Sequence, residues 1–257
     1  MDTKGALAAP VASARFDADG GQEGLLANVR ANLAPAPNPA LAVARYRTLA
    51  RGYDATCTRI LGIRASAVAA LRLRGGEHVA DVACGTGATL IALAEAVGPR
   101  GRVCGIDISP EMVAIARRRV ADAGLSHRVS VFEGGADKLR DLAPIDAFLL
   151  CYTHDLLQSA ESVAAMHAAA RPGARIVVAG MRWLPWWWGF APNLVTAFRA
   201  RRYLTTYRGL RRPWRYLRDR VPDFRIIATD HLGTSYLGQG AFASHSNSIP
   251  DLKETTP

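Results

Sequence analysis

The chain lacks any apolar run near the roughly 18 residues that a bilayer-crossing helix needs, so no segment is expected to span a membrane. It also lacks a CxxC pair. Its four cysteines, Cys57, Cys84, Cys104 and Cys151, stand apart and without a neighbouring histidine. That excludes a zinc knuckle and a disulfide framework, so no metal is expected, and the thiols read as small buried hydrophobes of a reducing compartment. The first residues carry Asp2 and Lys4 and then an Ala/Pro/Gly mixture with no apolar centre. No secretory leader is therefore expected, and the expected location is the cytoplasm. No internal repeat is present. Acidic side chains are nearly missing from one window: between Arg182 and Arg225, eleven arginines face only Asp219 and Asp223. That window carries +9 of a formal net charge of +10, so the remainder of the chain is close to neutral.

What is present is ordinary for a globular protein: 257 residues, 49% hydrophobic and 21% charged, enough for one large α/β domain with a real core. Residues 1–38 are Ala/Gly/Pro-rich and contain "APAPNP"; little periodicity is visible, and a disordered or loosely packed segment is expected. A polar tail is expected over 246–257. Helical patterning begins at Pro39, with helices around "LAVARYRTLARGYD" and "TRILGIRASAVAALRL". Strands are expected at 78–83, 102–107, 128–132, 145–151 and 174–180, most of them separated by helices. Such alternation implies βαβ units and a parallel sheet. Ser109-Pro110-Glu111 supplies an N-cap, a proline at the first helical position and a first-turn acid, and Gly124 supplies the stop. "FRIIAT" (224–229) and "TSYLGQGAF" (234–242) add two closing strands, giving one domain over 39–245 with an insert at 183–222.

One loop carries ligand chemistry. "VADVACGTGATL" (79–90) is a buried strand that enters a glycine-rich turn and then a helix. Gly85 and Gly87 allow backbone conformations and close approaches that a Cβ would forbid, and the helix N-terminus behind them favours negative charge. A dinucleotide fingerprint would need glycine at 83, 85 and 88; the chain has Ala83, Gly85 and Ala88, a poor fit. Asp81 precedes the turn on the strand. Asp107 ends the next strand twenty residues beyond Gly87, where a carboxylate can accept both hydroxyls of a ribose.

The run D-V-A-C-G-T-G, followed by G-I-D-I-S-P-E-M, resembles the class I S-adenosylmethionine (SAM)-dependent methyltransferases, in their small-molecule and lipid-modifying branch. The likeness extends through "VSVFEGGADKL" (129–139) and "IDAFLLCYTHDLLQS" (145–159) and covers about residues 46–182. It implies a three-layer Rossmann-like α/β fold, with a mainly parallel seven-stranded sheet, a helical N-terminal extension and a lid insert after strand five. It implies SAM as cofactor and S-adenosylhomocysteine as product. Asp81, Ala83, Gly85 and Gly87 would cradle the methionine part and ribose, Asp107 would hold the ribose hydroxyls, and Ile108 would lie against adenine. Gly134, Gly135 and Ala136 would line the adenine edge, Cys151 and Tyr152 would close over the sulfonium, and Tyr53 of a Tyr53-Asp54 element would cover the cofactor. Cys84 and Met112 complete that set. Two departures stand out: Ala83 replaces the first glycine, and Gly135 replaces an aspartate common in relatives, with Asp137 as its substitute.

"CYTHDLLQS" follows the fourth strand, so Tyr152, Thr153, His154 and Asp155 fall at the carboxyl edge of a parallel sheet, where ligands bind. A sulfonium methyl is already activated, and a base is needed only when the nucleophile carries a proton. His154 is the expected base, with Tyr152 and Asp155 beside it; the alternatives are a backbone hydrogen bond for His154 and a helix cap for Asp155. His127, His167 and His231 read as structural.

The insert opens on "MRWLPWWWGFAPN", with Trp183, Trp186, Trp187 and Trp188. Three roles compete: an acceptor-pocket lid formed by those tryptophans together with Tyr46, a foot on anionic lipid, and a stacking platform for nucleic acid. Arginines at i, i+3 and i+4 spacing in "RRPWRYLRDR" suggest a helix with one buried face, which argues against nucleic acid. Pro185 and Pro192 should break the segment before a long amphipathic helix forms, which argues against the foot. The lid is preferred, with weak association to anionic membrane kept open. The expected reaction is methyl transfer from SAM to O, N or C of a small apolar or aromatic acceptor in secondary metabolism, by a monomer or homodimer. The alternatives are N-methylation of a phospholipid or amine at a membrane surface, and a non-transfer use of the sulfonium.

Overall fold

The computed structural model describes residues 31–142 and 144–244; expectations for residues 1–30 and for the tail from 245 onward lie outside the described residues. In chain order the main elements are α1 (Pro39–Leu49), α2 (Leu61–Ala70), β1 (His78–Val82), α3 (Leu90–Val97), β2 (Arg102–Asp107), α4 (Pro110–Asp122), β3 (Val129–Glu133), β4 (Ile145–Cys151), α5 (Ala160–Ala169), β5 (Ala170–Met181), α6 (Trp186–Ala200), β6 (Arg225–Asp230) and β7 (Ser235–Ala241). The seven strands form one sheet of order β3-β2-β1-β4-β5-β7-β6. Strands β1 to β5 pair in parallel, and β7 runs antiparallel to both β5 and β6.

Each strand alternates its side chains between two cores. Ala80, Val82, Ile106, Phe148, Leu150, Ile176 and Val178 face α5 and the last part of the insert, where Leu217, Val221 and Phe224 are buried. Val79, Val103, Ala147, Leu149 and Val177 face the other way, against Ala67 and Leu71 of the α2 region, Leu90 and Leu93 of α3, and Val113 and Ala116 of α4. The three layers therefore follow from the period-two pattern of strands buried on both faces. The caps read from the sequence are present: the Ser109 hydroxyl accepts from Met112 N at the start of α4, and Gly124 follows its end at φ +70°. The order reverses between β1 and β4, so the crevice lies outside the carboxyl ends of β1 to β4.

Two expectations about the insert need correction. Helix α6 runs unbroken through Pro192. Pro185 sets its start, and Asn193 clamps the entry by accepting from Leu184 N (2.8 Å) and donating to Leu184 O (2.9 Å), which offsets the bond lost at Pro192. Conversely, "RRPWRYLRDR" forms successive turns rather than a helix. Its backbone bonds are short-range, such as Arg215 N to Arg212 O, while Pro213, Leu217 and Val221 are buried. Residues 32–38, expected to be loosely packed, are tied to the insert. Tyr207 N donates to Asn32 O, the Thr206 hydroxyl to Ala34 O, and Asn38 N to the Thr205 hydroxyl.

Candidate active site

The glycine loop turns because of its backbone. Ala83, Gly85 and Gly87 all adopt positive φ (+59°, +57° and +73°), the first without glycine's freedom. The two glycines serve different ends. A Cβ on Gly87 would stand 2.9 Å from Leu90 Cδ1 and 3.0 Å from Ala116 Cβ, so Gly87 lets the loop seat against α3 and α4. Gly85 lies open to the crevice, with only the Tyr53 ring near, at 3.9 Å from where a Cβ would stand. The loop is then fixed by carboxylates. Asp107 Oδ2 accepts from Gly85 N (2.8 Å) and Oδ1 from Ser109 N (2.9 Å). Burial raises the Asp107 carboxyl above its ordinary range, and those two backbone donors pull it back. Asp81 is fully buried, accepts from the Thr89 hydroxyl, and is pushed up to about 6 by burial.

A cavity of about 330 Å³ follows the carboxyl edge. Tyr53, Ala83, Gly85, Asp107, Ile108, Met112, Gly135, Ala136 and Cys151 of the expected cofactor set line it, as do Tyr46, Tyr152, His154 and Asp155. Asp81, Cys84 and Gly87 do not; they sit behind the loop and hold its shape. Asp137, the expected substitute at 135, is not among the residues lining the cavity; its Oδ1 lies 2.7 Å from where a Gly135 Cβ would be. Asp54 latches the N-terminal helices to the loop, accepting from the Thr86 hydroxyl (2.6 Å) and pairing with Arg119.

The residues after β4 depart from the catalytic expectation. His154 Nε2 lies 2.9 Å from Arg208 O, and burial drives its imidazole down to about 4, so it is neutral and a poor base at neutral pH. The backbone-bond alternative holds for His154. Asp155 is not a cap for the following turn. Its Oδ2 accepts from Thr205 N (2.9 Å) and the Thr205 hydroxyl (2.6 Å), anchoring the insert. Tyr152 takes a positive φ of +61°, and its hydroxyl lies 3.3 Å from Ser235 Oγ. Thr153 Oγ1, His154 Nδ1 and Asp155 Oδ1 are buried without a hydrogen-bond partner among the described residues, and all three residues line the cavity. Such unpaired polar atoms suit a polar ligand.

The tryptophans do not wall this cavity, which corrects the lid reading. Trp186, Trp187 and Trp188 are 74%, 67% and 56% exposed on the outer face of α6. Trp183 packs on Tyr207 at 5.8 Å between ring centres. The wall is made instead by tyrosines. Tyr46 and Tyr53 meet edge to face at 5.9 Å, Tyr53 meets Tyr203 at 6.1 Å, and the Tyr46 hydroxyl donates to Tyr203 O. Beyond them lies a second cavity of about 170 Å³, sharing Tyr46, Tyr53, Tyr152, Tyr203 and Leu204 with the first.

Sequence reasoning missed two residues. Arg64 on α2 is buried, and its charge acts on Tyr53, Cys151 and Asp81; the helical pattern marks it only as one polar residue on an apolar stretch. His231 lines the second cavity, with Nδ1 3.4 Å from Asp230 Oδ2. No motif marks it, because β6 and β7 reach the crevice only through the sheet.

The sheet order and the carboxylate-braced glycine loop define the class I methyltransferase fold. Residues 79–173 match the family model of a methyltransferase domain. An uncharacterized 37.1 kDa protein in transposon TN4556 of Streptomyces fradiae is 36% identical over 121 residues, 44% of this chain and 33% of that protein. The demethylmenaquinone methyltransferase of Geobacillus stearothermophilus is 42% identical over 69 residues, 27% of this chain and 29% of that enzyme. The chain thus spans about a third of the length of the curated relatives it matches. A SAM-dependent methyltransferase structure from Aquifex aeolicus superposes with a TM-score of 0.50 at 20% identity, covering 80% of this chain and 97% of that one. Residues 79–173 thus match a methyltransferase domain, on a fold shared with SAM-dependent methyltransferases. The residues of the first cavity would suit SAM: a buried carboxylate for hydroxyls, Ile108, Met112 and Ala136 for an apolar ring, and unpaired polar atoms for an amino acid end.

Proposed function

We propose that the chain moves a methyl group from SAM to a small, apolar or aromatic acceptor held in the second cavity. One observation carries this reading: two cavities meet across a shared tyrosine wall, and the second is lined by Ile60, Met181, Ala200 and Leu204 as well as by tyrosine rings. SAM supplies an electrophilic methyl that needs no further activation. The protein's part is alignment. Tyr53 and Tyr152 separate cofactor from acceptor and leave one line of approach, and the apolar lining keeps water from competing. A demethylmenaquinone-modifying relative is consistent with an aromatic acceptor.

His231 is the proposed base, in place of His154. It lies on the acceptor side beside the Asp230 carboxylate, which favours a nucleophile that must lose a proton as it gains the methyl. Two experiments test this reading. Purified protein is incubated with methyl-labelled SAM and a panel of phenols and other small aromatics, with mass spectrometry of every product. Label on an aromatic acceptor is expected; SAM binding with no label on any of them counts against the reading. His231→Gln should lower kcat roughly a hundredfold for an acceptor whose nucleophile carries a proton, with SAM affinity kept. An unchanged kcat would remove His231 from the chemistry.

A further inference from the structure

Helix α6 is inside out. Its inner face carries Gly189, Pro192, Asn193, Thr196, Ala197 and Ala200, while Trp186, Trp187, Trp188, Phe190, Leu194, Val195 and Phe198 point outward. Those seven are 47–74% exposed, the reverse of an ordinary surface helix, whose apolar stripe faces the core. The close fit on the inside is built in: a Cβ on Gly189 would stand 2.4 Å from Leu184 Cβ, so the helix is meant to lie with its small residues inward. A continuous exposed apolar face of this kind marks an interaction site.

The surroundings identify the occupant. At one end Trp188 shares an open depression with Arg211, Arg212 and Arg215; at the other, the Arg201 guanidinium lies 3.7 Å over the Phe198 ring, with Arg199 and Arg202 beside it. No acidic residue lies anywhere on α6. Tryptophan favours the headgroup layer, arginine favours anionic headgroups, and a helix bearing both, with its apolar face outward, lies flat in that layer. We infer that α6 is an interfacial foot that docks the protein on an anionic lipid bilayer, with the three tryptophans and Phe190, Leu194 and Phe198 entering the acyl boundary. Among the described residues no helix is long and apolar enough to cross a membrane. The foot also borders the second cavity through Thr196, Arg199 and Ala200. Resting on the proposed acceptor site, this deepens that reading: the acceptor class is an apolar molecule carried in the bilayer, entering beside α6.

Flotation of the full chain with vesicles of equal phosphatidylglycerol and phosphatidylcholine, against phosphatidylcholine alone, tests the docking without any acceptor. The protein is expected to float with the anionic vesicles, less so at high salt, with a blue shift of tryptophan emission. The double variant W187S/F190S should partition roughly tenfold or more weakly, since it removes two buried apolar side chains from the docked state. R201Q/R202Q should weaken flotation mainly at low salt. Both pairs are exposed or half-buried and outside the acceptor cavity, so the melting temperature and transfer to an acceptor added in detergent should be unchanged. Flotation untouched by W187S/F190S, equal flotation with neutral vesicles, or a concentration-dependent dimer that W187S/F190S dissolves would each overturn the docking. Normal docking with no transfer to any acceptor would instead overturn the proposed function.

Discussion

At the residue scale, Asp107 is the proposed anchor for a bound cofactor. It spends one hydrogen bond per oxygen on Gly85 N and Ser109 N, and a carboxylate has lone pairs left for two hydroxyls. A hydrogen bond to a charged group is worth about 1.5–3 kcal/mol, so Asp107→Ala should weaken SAM binding by tenfold or more in a calorimetric titration. An unchanged Kd would leave the carboxylate as a brace for the loop alone. The burial of His154 bears on stability. Its folded-state value is about 4 and the ordinary unfolded value about 6.5, so between those values the unfolded chain binds more protons. Stability is therefore fully present above pH 6.5 and is lost as pH falls toward 4, by on the order of 3 kcal/mol. The melting temperature of His154→Gln should fall less steeply across that window than that of the parent protein. Equal slopes would mean that other groups dominate the acid limb.

At the element scale, the insert is held by polar anchors more than by its helix. Asp155 receives both Thr205 donors, Asn32 Nδ2 donates to Arg201 O, and the Tyr207 hydroxyl donates to Ala197 O. Removing the carboxylate in Asp155→Ala strands two donors at a cost of about 1–3 kcal/mol. Amide exchange should then quicken over 201–208 and 32–38 while β1 to β5 keep their protection; uniform quickening would mean that the anchor supports the whole fold. The pattern of the insert also shows where local rules stop. The strands and α4 were legible because alternation, caps and a C′ glycine act within a few residues. Helix α6 was not, because the proline rule is local, whereas the Asn193 clamp and the close packing of Gly189 are set by Leu184 across the turn.

At the scale of the whole molecule, the first cavity is closed by parts from everywhere: Tyr46 and Tyr53 near the N-terminus, the loops after β1 to β4, and Tyr203 and Leu204 of the insert. A ligand that touches all of them should couple them. SAM at a hundredfold excess over its Kd should stabilise the chain by about 2.7 kcal/mol, visible as a rise in melting temperature. Asp54→Ala cuts the tie from the N-terminal helices to Thr86 and Arg119. It should therefore lower SAM affinity several-fold by calorimetry, although Asp54 is outside the cavity lining. Affinity equal to that of the parent protein would show that the N-terminal helices close without the latch.

Sequence alone determined the sheet, the glycine loop, and Asp107 in register with Gly85, since strand alternation and the spacing of glycine and carboxylate are written into short runs. Tertiary structure decided the rest. It turned His154 into a buried neutral residue and Asp155 into an anchor, because Arg208 and Thr205 reach them from some 50 residues away. It brought His231 to the second cavity through β6 and β7. It also turned the tryptophans outward. The composition of that stretch showed an aromatic, basic surface; only the packing of Gly189 and Asn193 settled which face of the helix meets the protein and which is left exposed.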